Sequence, residues 1–180
     1  SPVGWYFQFK EFPHKKDEAL AFDIPYVRNF PIPQLEHDQR NAFEECVYAV
    51  KKSTDIVEQA DRAITDWLSL EFSGATSATL REASKLDSDG FVAAVRSALP
   101  KRQGLSPTQL RQLREAFSET AEPARQARIE LLAHERRLAA MVERAYGLTD
   151  EEIALMWRTA PPRMPLAPPP GLDLRPLTTE

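Results

Sequence analysis

The side chains that could bind a metal or act as a nucleophile are scattered along the sequence. The histidines His14, His37 and His134 have no cysteine or second histidine at ligand spacing, so the sequence predicts no metal site. Cys46 is the only cysteine, and its place on an apolar helix face predicts a reduced, buried thiol. Neither a glycine-rich phosphate loop nor a Ser-His-Asp arrangement is present, so we expect no catalytic activity from this chain alone.

The adjacent carboxylates Glu151 and Glu152 are the pair that looks most like a catalytic acid and base. Neighbouring residues of a helix point about 100° apart, however, and both side chains already have a structural role. Thr149 and Glu152 have the spacing of a capping box, while Asp150 and Glu151 favour the positive end of a helix dipole. The pair therefore predicts the start of a helix rather than an active site.

That helix start follows the end of a longer amphipathic helix. Between Ile129 and Tyr146 the apolar residues recur at three-, four- and seven-residue steps, which predicts one buried stripe. Gly147 follows the last of them, where a left-handed C-terminal cap costs glycine almost nothing. The stretch from Ile129 to Trp157 is therefore predicted to form a long helix and a short one, joined at the glycine.

A second long helix is predicted upstream, over residues 36–70. Its apolar positions form an imperfect heptad seam: Phe43, Val50, Val57 and Ile64. Residues 36–70 carry more acidic than basic side chains, whereas residues 101–146 carry more basic than acidic ones. We therefore expect the two long helices to pair as an antiparallel hairpin within a coiled-coil bundle.

Local signals predict shorter helices between the two long ones. Asp87 can cap a helix that ends before Pro100, and Ser106 begins a capping box with proline at the first helical position. Leu80, Ala83 and Leu86 suggest a short helix in an otherwise featureless stretch. Pro123 is expected to end or kink the helix that begins at Ser106.

The two ends of the chain lack a helical period and are predicted to be extended. Aromatic residues crowd the N-terminus and need a partner surface, either the helices or elements outside this chain. Pro25 would confine a strand over residues 22–27 to a sheet edge, and Pro31 and Pro33 predict a rigid extended strap. Residues 161–180 are rich in proline and predict an extended tail, packed on the helices at its start and loose at its end.

We therefore predict a mainly α-helical chain in three parts: an extended, aromatic-rich region over residues 1–35, a helical bundle over residues 36–160 and a tail over residues 161–180. No apolar run approaches the roughly 18 residues of a membrane span, and the first residues have no signal-peptide pattern, which predicts a cytoplasmic protein. The abrupt aromatic start predicts that the chain is a piece of a longer protein.

Two motifs resemble segments of adenine-specific DNA methyltransferases. The run from Tyr146 to Ile153 resembles the ending Tyr-Gly-Leu-Thr-x-Glu-Glu-Ile of the C-terminal helical region in type IIG restriction-modification enzymes and their relatives in phage defence. The run from Tyr26 to Pro33 resembles the segment that closes the target-recognition domain in those enzymes and in type I specificity subunits, just before a long helix. The positions that carry the resemblance are Pro31, Ile32, Pro33, Tyr146, Gly147, Leu148, Thr149, Glu151 and Glu152.

The resemblance implies a non-catalytic C-terminal domain of a DNA (adenine-N6) methyltransferase, which supports target recognition, sets spacing or mediates dimerisation. Its partners would be the rest of the parent enzyme and double-stranded DNA, with a homodimer as an option and no membrane. S-adenosylmethionine would bind elsewhere in the parent, and this chain would hold no cofactor. The sequence lacks the Asp/Asn-Pro-Pro-aromatic tetrad that grips a flipped adenine in that family, in keeping with a chain that has no activity of its own.

Cationic side chains in loops and at a helix start are the candidates for direct DNA contact. They are Lys15, Lys16, Arg28, Lys101, Arg102, Arg111 and Arg114. A solvated helix surface that pairs with acidic residues explains the same charges equally well. The net charge of −4 and the isoelectric point near 5.5 favour an alternative function, a helical protein–protein interaction module that never contacts DNA.

Overall fold

The computed structural model of the chain is mainly helical, as the sequence predicts. It describes residues 1–15, 19–72, 75–100, 104–172 and 174. Within these ranges there is an isolated antiparallel bridge between His14 and Leu20 and no β-strand. No helix in the described ranges is long and apolar enough to cross a membrane.

The helices follow one another along most of the chain. In order they are α1 (Pro2–Glu11), α2 (Ile24–Arg28), α3 (His37–Glu71), a 3₁₀ helix (Leu80–Lys85), α4 (Ser88–Ala98), α5 (Pro107–Ala116), a π-helical turn (Phe117–Ala121), α6 (Glu122–Ala145) and α7 (Asp150–Arg158). The predictions for α3, α4 and α7 are confirmed to within about two residues at their ends, and α5 begins at the predicted capping box but ends at Ala116, before Pro123.

The chain divides into two compact units. Residues Ser1–Val47 and Glu135–Glu180 form the first, which we call the end unit, and Tyr48–His134 form the second, which we call the central unit. Helices α3 and α6 each contribute residues to both units. The predicted division of the chain at residues 35 and 160 stays a prediction.

The central unit has a continuous hydrophobic core. Phe91 on α4 is completely buried and lies 5.5 Å from the ring of Phe117, measured between centroids. The other fully buried large side chains of this core are Ile64, Leu68, Leu80, Val95 and Leu113. The heptad residues Val57 and Ile64 of α3 are buried, as the predicted seam requires.

The N-terminal residues are helical, so the prediction of an extended segment over residues 1–35 is wrong for α1. Ser1 caps this helix by accepting a hydrogen bond from the Gly4 N–H at 3.3 Å, and Pro2 occupies its first turn, where a missing N–H costs nothing. The aromatic side chains surround the helix instead of forming a stripe, and most are half-buried. Because the stripe is absent, hydrophobic periodicity does not reveal the helix.

A second correction concerns residues 22–27, where the sequence predicts an edge strand. Ile24–Arg28 form the single-turn helix α2, with Pro25 in its first turn. The fixed φ of proline suits the start of a helix as well as it suits extended chain. Pro31 and Pro33 follow in a segment without regular structure, in line with the predicted strap.

Pro123 lies inside a continuous helical run rather than at its end. A proline has no N–H to donate, and its ring collides with the carbonyl four residues earlier in an α-helix. The chain widens into a π-helical turn over Phe117–Ala121, directly before Pro123 enters the first turn of α6. The wider turn accommodates the proline, so the helix is locally altered but not ended.

The proline-rich tail has no helix and lies partly against the end unit. Pro161 is buried, and Met164, Pro165 and Leu166 are half-buried. These contacts agree with the prediction that the tail packs on the helices at its start. The predicted loose end falls at residue 173 and residues 175–180, outside the described residues.

Gly147 has the left-handed conformation predicted for it, with φ of 66°. A Cβ placed there would meet no atom within 4 Å, so only the backbone conformation opposes a larger residue. We expect Gly147→Ala to lower the free energy of unfolding by about 1 kcal/mol, because L-residues are strained at positive φ. Urea denaturation measures the change.

Gly104→Ala is the matched control for this substitution. A Cβ at Gly104 also meets nothing within 4 Å, and that glycine does not have a left-handed φ. The control should stay within about 0.5 kcal/mol of the parent chain. Equal losses in the two variants would show that α6 does not depend on a left-handed cap.

Candidate functional site

The two motifs that carry the family resemblance meet in the end unit, although they lie far apart in the sequence. The Tyr146 hydroxyl donates a hydrogen bond to the carbonyl oxygen of Pro31 at 2.5 Å. Burial raises the pKa of the Tyr146 phenol, so this group keeps its proton and acts as a donor. The strap is thereby fixed to the C-terminal end of α6. We refer to this contact as the motif junction.

Helix α7 completes the junction on its C-terminal side. The Thr149 hydroxyl accepts a hydrogen bond from the Glu152 N–H at 3.3 Å, and the Glu152 carboxylate accepts one from the Thr149 N–H at 2.8 Å. The predicted capping box is confirmed. Glu151 is exposed in the first turn, where its charge complements the helix dipole.

Helix α1 is joined to the end of α7 and to the tail by its aromatic side chains. The Trp5 indole N–H donates to the carbonyl oxygen of Pro162 at 3.0 Å, and the Tyr6 and Thr159 hydroxyls lie 3.0 Å apart. These contacts provide the partner surface that the N-terminal aromatic residues require. The end of α7 and the tail, both within this chain, therefore supply the partner surface for Trp5 and Tyr6.

The candidate DNA-contacting residues are distributed over both units. Lys15 and Arg28 are exposed in the end unit, and Arg111 and Arg114 are exposed on α5 in the central unit. Lys16, Lys101 and Arg102 lie outside the described residues. Whether any of these side chains contacts DNA stays a prediction.

Arg111 and Arg114 are the two candidates that share a surface. They line an open groove of about 460 Å³ on α5, beside Leu110. Both guanidinium groups also have acidic neighbours: Arg114 lies 3.2 Å from Asp89, and Arg111 lies 3.9 Å from Glu115. Since all four side chains are largely exposed, these pairs contribute little stability and could be exchanged for a phosphate.

Sequence reasoning missed a buried polar network in the central unit. Asp61 on α3 accepts hydrogen bonds from the N–H and the hydroxyl of Ser84, at 2.8 and 2.9 Å. The Arg128 guanidinium of α6 donates to the Ser84 hydroxyl oxygen at 2.8 Å and to the Asp61 carboxylate at 3.3 Å. Ser84 has no solvent-exposed surface and no histidine partner in this network, so the arrangement serves packing rather than nucleophilic catalysis.

The end unit contains polar groups that are buried without a partner. Glu143 on α6 is only 7% exposed, and burial alone raises the pKa of its carboxyl group. Trp157 on α7 is 9% exposed, and neither its indole nitrogen nor Nε of Arg158 has a hydrogen-bond partner among the described residues. Such groups are uncommon in folded proteins, and each needs an explanation.

The buried Glu143 predicts a pH-dependent stability. Its folded-state pKa lies above the unfolded value, so the folded chain binds the extra proton and stability falls as pH rises through that interval. We therefore expect Glu143→Gln to be more stable than the parent chain near pH 8. The difference should shrink as the pH falls and vanish towards about pH 3, below the unfolded pKa of a glutamate at about 4.3, where the carboxyl group is protonated in both states.

Thermal melts across this pH range measure the effect. Arg136, Asp150, Glu151 and Arg158 line the cavities beside Glu143 and are the same in both proteins, so the comparison isolates the Glu143 side chain. The exposed Glu44→Gln is the control and should follow the parent chain. Parallel curves for Glu143→Gln and the parent would contradict the burial of an unpaired carboxylate.

One protein-family model matches residues 36–142 of the chain, a domain of unknown function (DUF8810). The chain belongs to the DUF8810 family. No curated protein and no solved structure matches it. In this chain the DUF8810 match runs from the start of α3 into α6 and includes Asp61, Ser84 and Arg128. The two motifs of the junction lie outside it.

The DUF8810 region and its flanks offer no metal site within the described ranges. No group of three or more histidine, cysteine, aspartate or glutamate side chains there could hold an ion. The described residues offer ion pairing at exposed arginines and hydrogen bonding at the buried groups around Glu143.

Proposed function

We propose that this chain is the non-catalytic C-terminal helical domain of a DNA (adenine-N6) methyltransferase of the type IIG restriction-modification or related phage-defence kind. In this role it supports the target-recognition region and sets its distance from the catalytic part, or mediates dimerisation. S-adenosylmethionine binds the remainder of the parent enzyme, which is also the chain's main partner. The enzyme is located in the cytoplasm.

The motif junction is the observation that supports this proposal. The resemblance associates Tyr26–Pro33 with the end of a recognition domain and Tyr146–Ile153 with the end of the helical region. The hydrogen bond from Tyr146 to Pro31 joins these segments across more than a hundred residues of sequence. A contact of this kind suits a domain that holds the exit of a recognition domain against a rigid helical support.

Antiparallel pairing of α3 and α6 is part of the proposal. Within the end unit, Phe43 of α3 and Met141 of α6 line the same cavity. Within the central unit, Asp61 of α3 accepts a hydrogen bond from Arg128 of α6. Each unit thus contains a place where side chains of the two helices meet, which supports their pairing, and the antiparallel direction is the proposed one. A paired helix of this length suits a spacer because it resists bending more than a single helix does.

A second candidate is a helical interaction module without DNA contact, and exposed apolar residues favour it. Ile24 and Ile32 of the end unit are 72% and 82% exposed, and Phe22 lies near them in the sequence at 60%. Large apolar side chains clustered on a surface mark sites of protein contact. In the first proposal they meet the parent enzyme, and in the second they meet an unrelated protein.

The reading frame upstream of Ser1 tests the parentage directly. The first proposal expects it to encode a glycine motif for S-adenosylmethionine and an Asp/Asn-Pro-Pro-Tyr/Phe tetrad. A frame that continues upstream without either motif would favour the interaction module.

Fluorescence anisotropy with a labelled DNA duplex separates the two candidates in a second way. Direct contact through α5 predicts binding that weakens steeply with added salt, because phosphate contacts release counterions. The double substitution Arg111→Gln and Arg114→Gln should weaken it, whereas Arg62→Gln, a similarly exposed arginine on α3, should not. No binding at low salt would remove DNA contact from the proposal.

A further inference from the structure

The unpartnered groups of the end unit surround two neighbouring cavities. The smaller one has a volume of about 130 Å³ and is lined by Glu143, Trp157 and apolar tail residues that include Leu166. The larger one has a volume of about 630 Å³ and is lined by Glu143 and Arg158, together with residues of α7 and the tail. The two linings share four residues: Ala140, Glu143, Pro169 and Pro170. The Glu143 side chain therefore lies where the two cavities meet.

The charge of the larger cavity is predominantly negative. Among the described residues, three carboxylates line it, from Glu143, Asp150 and Glu151, against the guanidinium of Arg158, and Arg136 lines the smaller cavity. Asp150 and Glu151 are exposed and well hydrated, whereas Glu143 has lost most of its water without gaining a hydrogen bond or an ion pair among the described residues. A buried carboxylate in this state gains most from a cation that enters the cavity.

The walls of the cavities suit a ligand with an apolar stem. The smaller cavity is closed by alanines of α6, the ring of Trp157 and tail prolines. Leu166 takes part with φ of 68°, a strained conformation for this residue type that its surroundings must maintain. The Trp157 side chain lines the same wall, while its indole nitrogen is buried and has no hydrogen-bond partner among the described residues.

We propose that these cavities bind an arginine side chain of a partner polypeptide. The guanidinium pairs with Glu143 in the larger cavity, with Asp150 and Glu151 adding to the attraction, and the apolar stem lies against the ring of Trp157. Arginine fits better than lysine because its planar guanidinium can donate two parallel hydrogen bonds to one carboxylate. This site shares the first turn of α7 with the motif junction but does not depend on the proposed methyltransferase role.

The indole N–H of Trp157 provides a direct reporter for the test. The sequence contains three tryptophans, so the chain labelled with ¹⁵N at the indole nitrogens gives three cross-peaks, and Trp157→Phe identifies the relevant one. The probe is Nα-acetyl-arginine amide, which carries the guanidinium and the carbonyl groups. Its control is Nα-acetyl-citrulline amide, a neutral molecule of nearly the same shape.

The arginine probe should shift the Trp157 cross-peak in a saturable manner and leave those of Trp5 and Trp67 in place. The parent chain should bind citrulline amide at least about tenfold more weakly than arginine amide, because the charge-assisted hydrogen bond is lost. Glu143→Gln should weaken arginine binding by a similar factor. Glu44→Gln, an exposed carboxylate on α3, should leave it unchanged.

Each other outcome overturns the proposal. An unmoved Trp157 cross-peak would mean that water alone fills the cavities. Equal shifts with arginine and citrulline amides would mean that the site does not distinguish a positively charged ligand from a neutral one. Circular dichroism and the Trp5 cross-peak establish that Glu143→Gln is folded, so unchanged arginine binding by that variant would remove Glu143 from the site.

Discussion

Replacing Arg128 with methionine is expected to lower the free energy of unfolding by about 3 kcal/mol. The Asp61 side chain is 12% exposed, and Arg128 is the cation that faces it. Methionine retains much of the apolar stem of arginine but leaves the Asp61 carboxylate without its counter-charge and the Ser84 hydroxyl oxygen without its donor. An uncompensated buried charge costs several times more than the loss of an exposed ion pair. Urea denaturation gives the difference.

Arg125→Met is the matched control on the same helix. Arg125 pairs with Glu122 at 2.8 Å, and both side chains are well exposed, at 40% and 43%. Solvent screens this pair, so its loss should cost far less stability than the loss of Arg128. If the two variants lose the same stability, the network does not behave as a buried one.

Phe91→Ala is expected to cost about 3–5 kcal/mol, the usual range for a fully buried phenylalanine. Phe91 has no exposed surface and packs against Phe117, so alanine leaves a cavity in the middle of the central unit. Leu70→Ala is the control, because Leu70 is 82% exposed near the end of α3. The free energy of unfolding of the control should lie within about 0.5 kcal/mol of that of the parent chain. A thermal melt of Phe91→Ala that coincides with that of the parent chain would show that Phe91 is not in the core.

Local signals in the sequence were sufficient for the helices that have strong caps or a clear period. The capping boxes at Ser106 and Thr149 and the left-handed Gly147 depend only on neighbouring residues, which is why these predictions are confirmed. Helix α1 was missed because its aromatic residues surround it, and α2 because it has a single turn. Neither has the stripe on which periodicity depends.

The buried polar groups could not be paired from the sequence, because their partners are far apart along the chain. One signal was available: Asp61 lies four residues after Val57 and three before Ile64, inside the apolar stripe of α3. Glu143 interrupts α6 in the same way, four residues after Ala139. A charged residue inside a stripe indicates either a buried network or an unpaired group. Only the structure distinguishes Asp61, which has partners, from Glu143, for which the described part of the chain provides none.

Mapping N6-methyladenine in cellular DNA is the most direct test of the proposed function. The complete gene is expressed in a host without adenine methylation, beside an in-frame deletion of codons 36–160 and a plasmid for this chain alone. We predict methylation at one sequence motif with the complete gene, its loss in the deletion, and none with this chain. DNA without N6-methyladenine under the complete gene, or an unchanged methylation pattern after the deletion, would contradict the proposal that this domain supports target recognition.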